Sequence, residues 1–475
     1  MLKEVIATTN TFMDAMPKAQ RKEYGQFFTT ELTARFMAEL FTIDITSPVL
    51  HILDAGAGTG VLSAALIERI VKLGYEGHIH LVCYETDDKV LPLLVKNLTT
   101  ISDGVDLAFE VRQENYLTTP SRDEKFDLII GNPPYKKIGK DAPEAKAMPH
   151  VCHGAPNLYF LFWAKAIETL KDNQELVYII PRSWTSGAYF AKFREFLFSS
   201  CIITHLHLFA SRDKVFDGES VLQETIIVKV KKTIDVPEFV KITSSATSDF
   251  ADVREFSAPY NVVVSNKQYV FLVTDEEESA TLNRLANMDK TLTSIDLPMK
   301  TGIIVDFRTR DVLRNEPVEN TFPLLYSQHI KNGRVVWPVG KEDEYICTER
   351  AGFLQDNTNY LLVKRFTAKE EKRRLQCGIY LSSDHPEYTH ISTQNKVNFI
   401  KCDKPEIAYG LFVLMNSTIY DTYYRILNGS TQVNSTEINN MPVPDIATIS
   451  AMGEQLMKCT LSEENCNTII EQWIR

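Results

Sequence analysis

The stretch "VLHILDAGAGTGVLSAALIERIVKLG" (residues 49–74) decides the fold of this 475-residue chain. It opens with an apolar run, "VLHILD" (49–54), that ends in an acid and reads as a buried strand. It closes with "VLSAALIERIVKLG" (61–74), which has helical spacing and stops at a glycine suited to a C-cap. Between them lies "LDAGAGTG" (53–60), where Gly56, Gly58 and Gly60 let the backbone turn tightly and approach a ligand that any Cβ would obstruct.

Working outward, the same texture repeats. "HIHLVCYE" (78–85), "FDLIIGN" (126–132) and "ELVYIIP" (175–181) read as further strands, and "ITHLHLF" (203–209) with "LQETIIVKVKK" (222–232) as a closing antiparallel pair. Strands alternating with helices predict an α/β fold with a mostly parallel sheet covered on both faces. From about Thr233 the texture changes: "KITSSATSDFADVREFSAPY" (241–260) is polar and weakly periodic, and reads as a boundary or irregular connection. The expected division is a nucleotide-binding domain over 1–240 and a recognition domain of short strands and turns over 241–475. "SEENCNTIIEQWIR" (462–475) reads as a terminal helix with Ser462 as its N-cap.

Which ligand suits the loop follows from what it lacks. There is no G-x-x-x-x-G-K-[ST] phosphate cradle, and the third glycine comes one position too early for the dinucleotide pattern G-x-G-x-x-G. Glu85 ends the next strand, where its carboxylate can accept hydrogen bonds from ribose hydroxyls. A D-x-G-x-G-x-G loop with a downstream acid fits S-adenosylmethionine, which has a ribose but no phosphate. A glycine-rich turn holding nothing is the alternative, and the loop by itself does not exclude it.

The run "LIIGNPPY" (128–135) ends another strand on an amide, a rigid corner and an aromatic ring. In an open α/β sheet the carboxyl ends of the strands line the ligand crevice, so Asn132 is expected to face the cofactor. The Asn132 side chain and the Pro133 carbonyl could accept the two N–H hydrogens of an exocyclic base amine. The prolines Pro133 and Pro134 restrict the backbone that carries this carbonyl. Tyr135 offers a stacking face for a base removed from a duplex. The competing reading is a strand-ending turn with Tyr135 in the core.

With these motifs the chain resembles the gamma-class N6-adenine DNA methyltransferases of restriction–modification systems (TaqI-type), over most of its length. "YGQFFTT" (24–30) looks like their N-terminal motif G-x-F-Y-T-P, with Phe28 at the usual Tyr and Thr30 at the usual Pro. By this resemblance Tyr24, Phe28 and Thr29 close over the cofactor, Asp54, Ala55, Gly56, Gly58 and Gly60 form its main loop, and Glu85 holds its ribose. "ENYL" (114–117) stands at the family's Asp-Phe-Leu, so Asn115 and Tyr116 would meet the cofactor's adenine. "NPPY" (132–135) is the catalytic motif, and "KVFDGESVLQETIIVKV" (214–230) the last one, whose Phe216 would stack on the flipped base opposite Tyr135. The implied architecture is a Rossmann-like class I methyltransferase sheet followed by an α+β target-recognition domain.

The implied partner is double-stranded DNA, beside a restriction endonuclease encoded separately. A net charge of −11 argues against coating nucleic acid non-specifically but not against a locally basic surface. Lys364, Arg365, Lys369, Lys372, Arg373 and Arg374 outnumber Glu370 and Glu371 and are the phosphate-binding candidates, with a solvated helix face as the other reading.

Other classes are not indicated. "HVCH" (150–153) has no second cluster to complete a metal site, so no metal is expected. No stretch approaches the ~18–20 apolar residues of a membrane span. The eight cysteines are scattered without a C-x-x-C pair, and the N-terminus lacks a signal-like apolar region, which points to the cytoplasm. A fused nuclease is not expected, since the first motif begins at residue 24. The rival functions are an RNA or protein-amide methyltransferase, and a DNA-binding specificity subunit without chemistry.

Overall fold

Strand β1 (Val49–Ala55) runs parallel to β2 (His78–Tyr84) on one side and to β4 (Phe126–Gly131) on the other, with Ile52 opposite Leu128 and Leu53 opposite Ile129. The computed structural model describes residues 1–15, 29–120, 122–209, 225–265, 269–286, 288–368, 370–428 and 431–474. The other strands of this region are β3 (Leu107–Arg112), β5 (Leu170–Pro181), β6 (Ile202–Phe209), β7 (Thr225–Lys231), β8 (Phe239–Ser245) and β9 (Arg254–Pro259). Among the described residues they form one sheet in the order β3-β2-β1-β4-β5-β7-β6-β8-β9. Strands β1 to β5 are parallel, and β7 inserts antiparallel between β5 and β6 as the closing pair predicts.

Both faces of the centre are buried, as continuous apolar runs require. Leu50, Ile52, Leu128, Ile130, Val177 and Ile179 enter one core with the helices Leu2–Ala15, Glu31–Glu39, Val61–Lys72 and Leu91–Ser102. The intervening Leu53, Ile129, Leu176, Tyr178 and Ile180 are buried as well. At ~1.5–3 kcal/mol per fully buried large apolar side chain, these strands carry much of the stability of the unit.

Two parts of the sheet were hard to read in the sequence. Strand β3 alternates half-buried and exposed positions because it is an edge. The polar stretch read as a boundary contains parts of β8 and β9, which extend the sheet, so the first compact unit runs Met1–Glu276 and the second Glu277–Arg475. The division therefore falls well beyond the expected 240/241. The reason is chemical. Thr243 Oγ1 lies 2.8 Å from His205 Nε2 and 2.9 Å from His207 Nδ1, and Ser245 Oγ lies 3.1 Å from His207 Nε2. Hydroxyls that look like loop residues are buried partners for two imidazoles, whose burial pushes them down to about 4 and about 3 and keeps them neutral.

The second unit is α+β. Its described strands form a six-stranded sheet, built around Asn359–Lys364 and Val397–Cys402, a five-stranded sheet around Thr321–Leu325, and a two-stranded one of Lys290–Thr291 with Pro442–Val443. Helices Pro405–Asn416, Thr418–Leu427, Ile446–Leu456 and Glu463–Ile470 complete it. The last is capped by Ser462, whose hydroxyl accepts from Asn465 N at 3.2 Å, as the sequence predicts.

The basic cluster is corrected here. Residues 370–376 form turns and irregular chain rather than a helix face. Arg374 is fully buried: its Nε donates to Thr367 Oγ1 at 3.2 Å, its Nη1 to the Asn428 carbonyl at 3.2 Å, and its guanidinium lies 5.5 Å from the Tyr424 ring centre. Arg373 Nη2 donates to the carbonyls of Met415 (3.2 Å) and Ser417 (2.9 Å), where a helix C-terminus favours a cation, and Nη1 pairs with Glu463 at 3.0 Å. Lys364 Nζ donates to Gln376 Oε1 at 2.8 Å, and Lys372 is exposed near Glu463. Lys369 lies outside the described residues. Arg373 and Arg374 are thus internal ties rather than phosphate ligands. Replacing Arg374 with Met should destabilise the chain by about 3 kcal/mol in urea unfolding, whereas Lys372→Ala should change it by less than about 0.5 kcal/mol.

Candidate active site

Because β1 and β4 are neighbours and parallel, the chain leaves both at the same edge of the sheet. This brings the glycine loop against the Asn-Pro-Pro-Tyr corner: a Cβ built on Gly56 would lie 3.9 Å from Pro134 Cδ and 3.7 Å from Phe162 Cε1.

The loop has the shape of a cradle. Gly58 adopts φ +55°, and among the described residues nothing stands within 4 Å of where its Cβ would be, so the backbone there faces open space. Gly58 N–H donates to Glu85 Oε2 at 2.9 Å, while Thr86 N–H and Asp87 N–H donate to Oε1 at 2.8 and 2.9 Å. These bonds fix the Glu85 carboxylate beside the loop and leave Oε2 a lone pair for a hydroxyl. Asp54, at the end of β1 before Ala55, is fully buried. Its Oδ2 accepts from Ser63 Oγ at 2.7 Å, and its Oδ1 has no partner among the described residues. Burial raises the Asp54 carboxyl to about 7. A glycine cradle, an acid placed for a diol and an unsatisfied buried oxygen, with no lysine or arginine in the loop for phosphate, fit a sulfonium nucleoside.

The corner begins with a close approach. A Cβ on Gly131 would come within 2.7 Å of the Tyr178 ring on β5, so glycine is needed for these strands to pack. Next to it, Asn132 is read at both ends. Its Nδ2 donates to Thr29 Oγ1 at 3.3 Å, and its Oδ1 lies 2.8 Å from the Tyr135 hydroxyl, which has a second acceptor in the Ile179 carbonyl at 2.9 Å. Both contacts are to hydroxyls, which can donate or accept, and they hold the amide in place between Thr29 and Tyr135. Pro133 is buried, and burial holds the Tyr135 hydroxyl well above the ordinary phenol range, so it is a neutral donor.

Comparison with known proteins accords with this geometry. Residues 78–216 match the Eco57I restriction-modification methylase family. The chain is 33% identical over 462 residues to type II methyltransferase M.BsuBI of Bacillus subtilis, covering 92% of this chain and 91% of that one. It is 32% identical to type II methyltransferase M.PstI of Providencia stuartii, covering 95% and 93%. The chain belongs to the type II methyltransferases of restriction–modification systems. It is a DNA methyltransferase whose cofactor is S-adenosylmethionine. The type IIL restriction-modification enzyme MmeI, solved in complex with DNA, shares the fold at a TM-score of 0.56 and 11% identity, over 89% of this chain and 70% of that one.

In this methyltransferase the remaining expected residues divide. Tyr24, Phe28 and Phe216 lie outside the described residues. Thr29 is buried and touches Asn132 directly, and Thr30 caps helix Glu31–Glu39 by accepting from Thr33 N. Asn115 is exposed. Its Nδ2 donates to Glu144 Oε1 at 2.8 Å, and its Oδ1 accepts from Leu117 N at 3.1 Å, so the amide shapes its own turn. Tyr116 is buried, with its ring centre 4.9 Å from Tyr84 and 5.3 Å from Phe162.

One residue escaped the sequence reading. Lys165 Nζ donates to the carbonyls of Leu117 (3.3 Å) and Thr119 (2.6 Å) and sits 5.2 Å from the Tyr116 ring centre, pinning the 115–119 turn. The signal was a lone lysine in the apolar helix "LYFLFWAKAIET". Among the described residues no group of three His, Cys, Asp or Glu side chains stands where it could hold a metal, and no helix is long and apolar enough to cross a membrane.

The Asp54 carboxyl sets a pH dependence. Its folded pKa of about 7 lies above the unfolded value of 3.8, so between these limits the folded chain keeps a proton that the unfolded chain has lost. Stability therefore falls as pH rises through that window, by about 4 kcal/mol from this group without donor. Melting curves from pH 4 to 8 should show Asp54→Asn losing less stability than the parent.

Proposed function

We propose that the chain methylates the N6 amine of adenine within a specific duplex DNA sequence, after the base has swung out of the helix. Modification at that site would protect host DNA in the cytoplasm from a separately encoded restriction endonuclease. The observation that carries the reading is the Asn132 amide, held between Thr29 and Tyr135 at the sheet edge that also holds the glycine loop.

An exocyclic amine is a weak nucleophile because its lone pair is delocalised into the ring. Asn132 Oδ1 and the Pro133 carbonyl accept its two hydrogens, which favours a pyramidal nitrogen and frees the lone pair for attack. The donor supplies an electrophilic methyl group on a cationic sulfur. The Tyr135 hydroxyl can keep its bond to Asn132 Oδ1 while the amine occupies the other lone pair of that oxygen. The Tyr135 ring then offers a stacking face, with Phe216 assigned to the opposite side. As the N–CH3 bond forms and the S–CH3 bond breaks, the positive charge moves to N6, which becomes acidic enough to release its surplus proton to water without a charged base. The second unit would read the surrounding sequence, and its size favours a duplex over a small amide substrate.

Incubation with labelled donor and duplex DNA, RNA or protein in turn should place label in DNA, and modification-sensitive sequencing should locate it on adenine N6 in one sequence context. Label in RNA or protein alone would overturn the reading. Asn132→Ala should lower turnover by at least about 100-fold while leaving donor affinity within a few-fold of the parent; turnover at the parent's rate would remove Asn132 from its role.

A further inference from the structure

The two most exposed aromatic rings among the described residues are Phe307, at 65%, and Phe366, at 50%. Both hang from one turn of the second unit. Ile304 N–H donates to the Thr393 carbonyl at 3.1 Å, Asn395 N–H donates back to the Ile304 carbonyl at 2.8 Å, and Arg365 N–H donates to the Lys396 carbonyl at 3.0 Å. Arg365 Nη1 adds a bond to the Asn395 carbonyl at 2.9 Å, and Gln394 Nε2 reaches Asp306 Oδ2 at 3.4 Å. The segments 303–308, 365–366 and 393–396, distant in sequence, are therefore tied into one edge.

Each ring is paired with a neighbouring guanidinium, Arg308 at 5.3 Å from Phe307 and Arg365 at 5.7 Å from Phe366. Ile303, four residues before Phe307, is exposed as well, and Arg308, Arg310 and Lys396 are exposed cations. With Arg365 they outnumber the local carboxylates Asp306 and Asp311, on a chain whose net charge is −11. A polyanion would be repelled by the chain at large and drawn to this edge. Exposed rings anchored on a hydrogen-bonded turn, flanked by cations, match a nucleic acid groove: rings pack on sugars and base edges while the cations meet phosphates.

We propose that this Phe307–Phe366 edge is the surface of the second unit that meets the duplex, with Arg308, Arg310 and Lys396 on the phosphates and Arg365 as a positioning residue. The assignment rests on the DNA reading above and locates a contact that Arg373 and Arg374, used inside the fold, do not make.

The test uses the full chain, tritiated S-adenosylmethionine and unmodified phage genomic DNA, which is long enough to hold most short sites. The double variant Phe307→Ala, Phe366→Ala should raise the KM for DNA at least about ten-fold without changing donor affinity, and Phe307→Trp beside native Phe366 should stay near the parent. Arg308→Ala, Arg310→Ala and Lys396→Ala together should reduce the slope of log affinity against log salt by about 2–3, while the phenylalanine variants leave that slope alone. Phe239→Ala, an exposed ring of the first unit, serves as the control and should match the parent. Benzoylphenylalanine at position 307, which needs no loss of function to be read, should cross-link to the DNA. A double variant with the parent's KM, or absence of that cross-link, overturns the surface and leaves it to a protein partner. A parent chain that binds donor but labels no DNA overturns the function itself, and the two failures are thereby distinct.

Discussion

Two parallel strands buried on both faces must surrender their polar backbone ends at one edge, and here those strands are β1 and β4. Everything chemical follows from that constraint. The strands pair Leu53 with Ile129, so the turn after β1 and the corner after β4 have no choice but to be neighbours. Glycine makes each exit possible in its own way: Gly58 leaves open space above the backbone, and Gly131 admits the Tyr178 ring. The outcome is that main chain, the Asn132 amide and the Glu85 carboxylate gather at one edge of the sheet.

Burial keeps the Tyr135 hydroxyl protonated and raises the Asp54 carboxyl to about 7, so Asp54 exchanges its proton near neutral pH while three N–H groups hold the Glu85 carboxylate. A dipole is useful here only if it points correctly, and an amide can point two ways. The contacts of Asn132 with Thr29 and Tyr135 hold its amide in place, and they tie the segment entering helix Glu31–Glu39 to the Asn-Pro-Pro-Tyr corner. Lys165 applies the same logic at second hand, holding the turn that carries Asn115 and Tyr116 by two carbonyls.

The second unit shows that basic residues and basic surface are different things. Arg373 and Arg374 satisfy carbonyls and a ring inside the fold, where a guanidinium without partners would be costly. Exposed cations lie instead beside the two rings Phe307 and Phe366, on segments that a third, 393–396, ties together. Charge counted along a chain cannot make that distinction, because it depends on which side chains the fold has already used.

Much of the architecture was legible in advance. The apolar runs at 49–54 and 126–131, the glycine spacing at 56, 58 and 60, and the Ser462 cap are local patterns whose physics involves a few adjacent residues, so they read correctly without the fold. What could not be read was pairing. Strands β8 and β9 looked like linker because the hydroxyls of Thr243 and Ser245 are explained only by imidazoles some 36 to 38 positions away. Arg374 looked like a DNA ligand because Thr367, Tyr424 and Asn428 meet it only after folding. Periodicity and backbone freedom belong to the chain at short range, whereas the partner of a polar side chain is set by contacts across the fold, and in this protein those contacts separate the groups that face a ligand from those that hold the fold together.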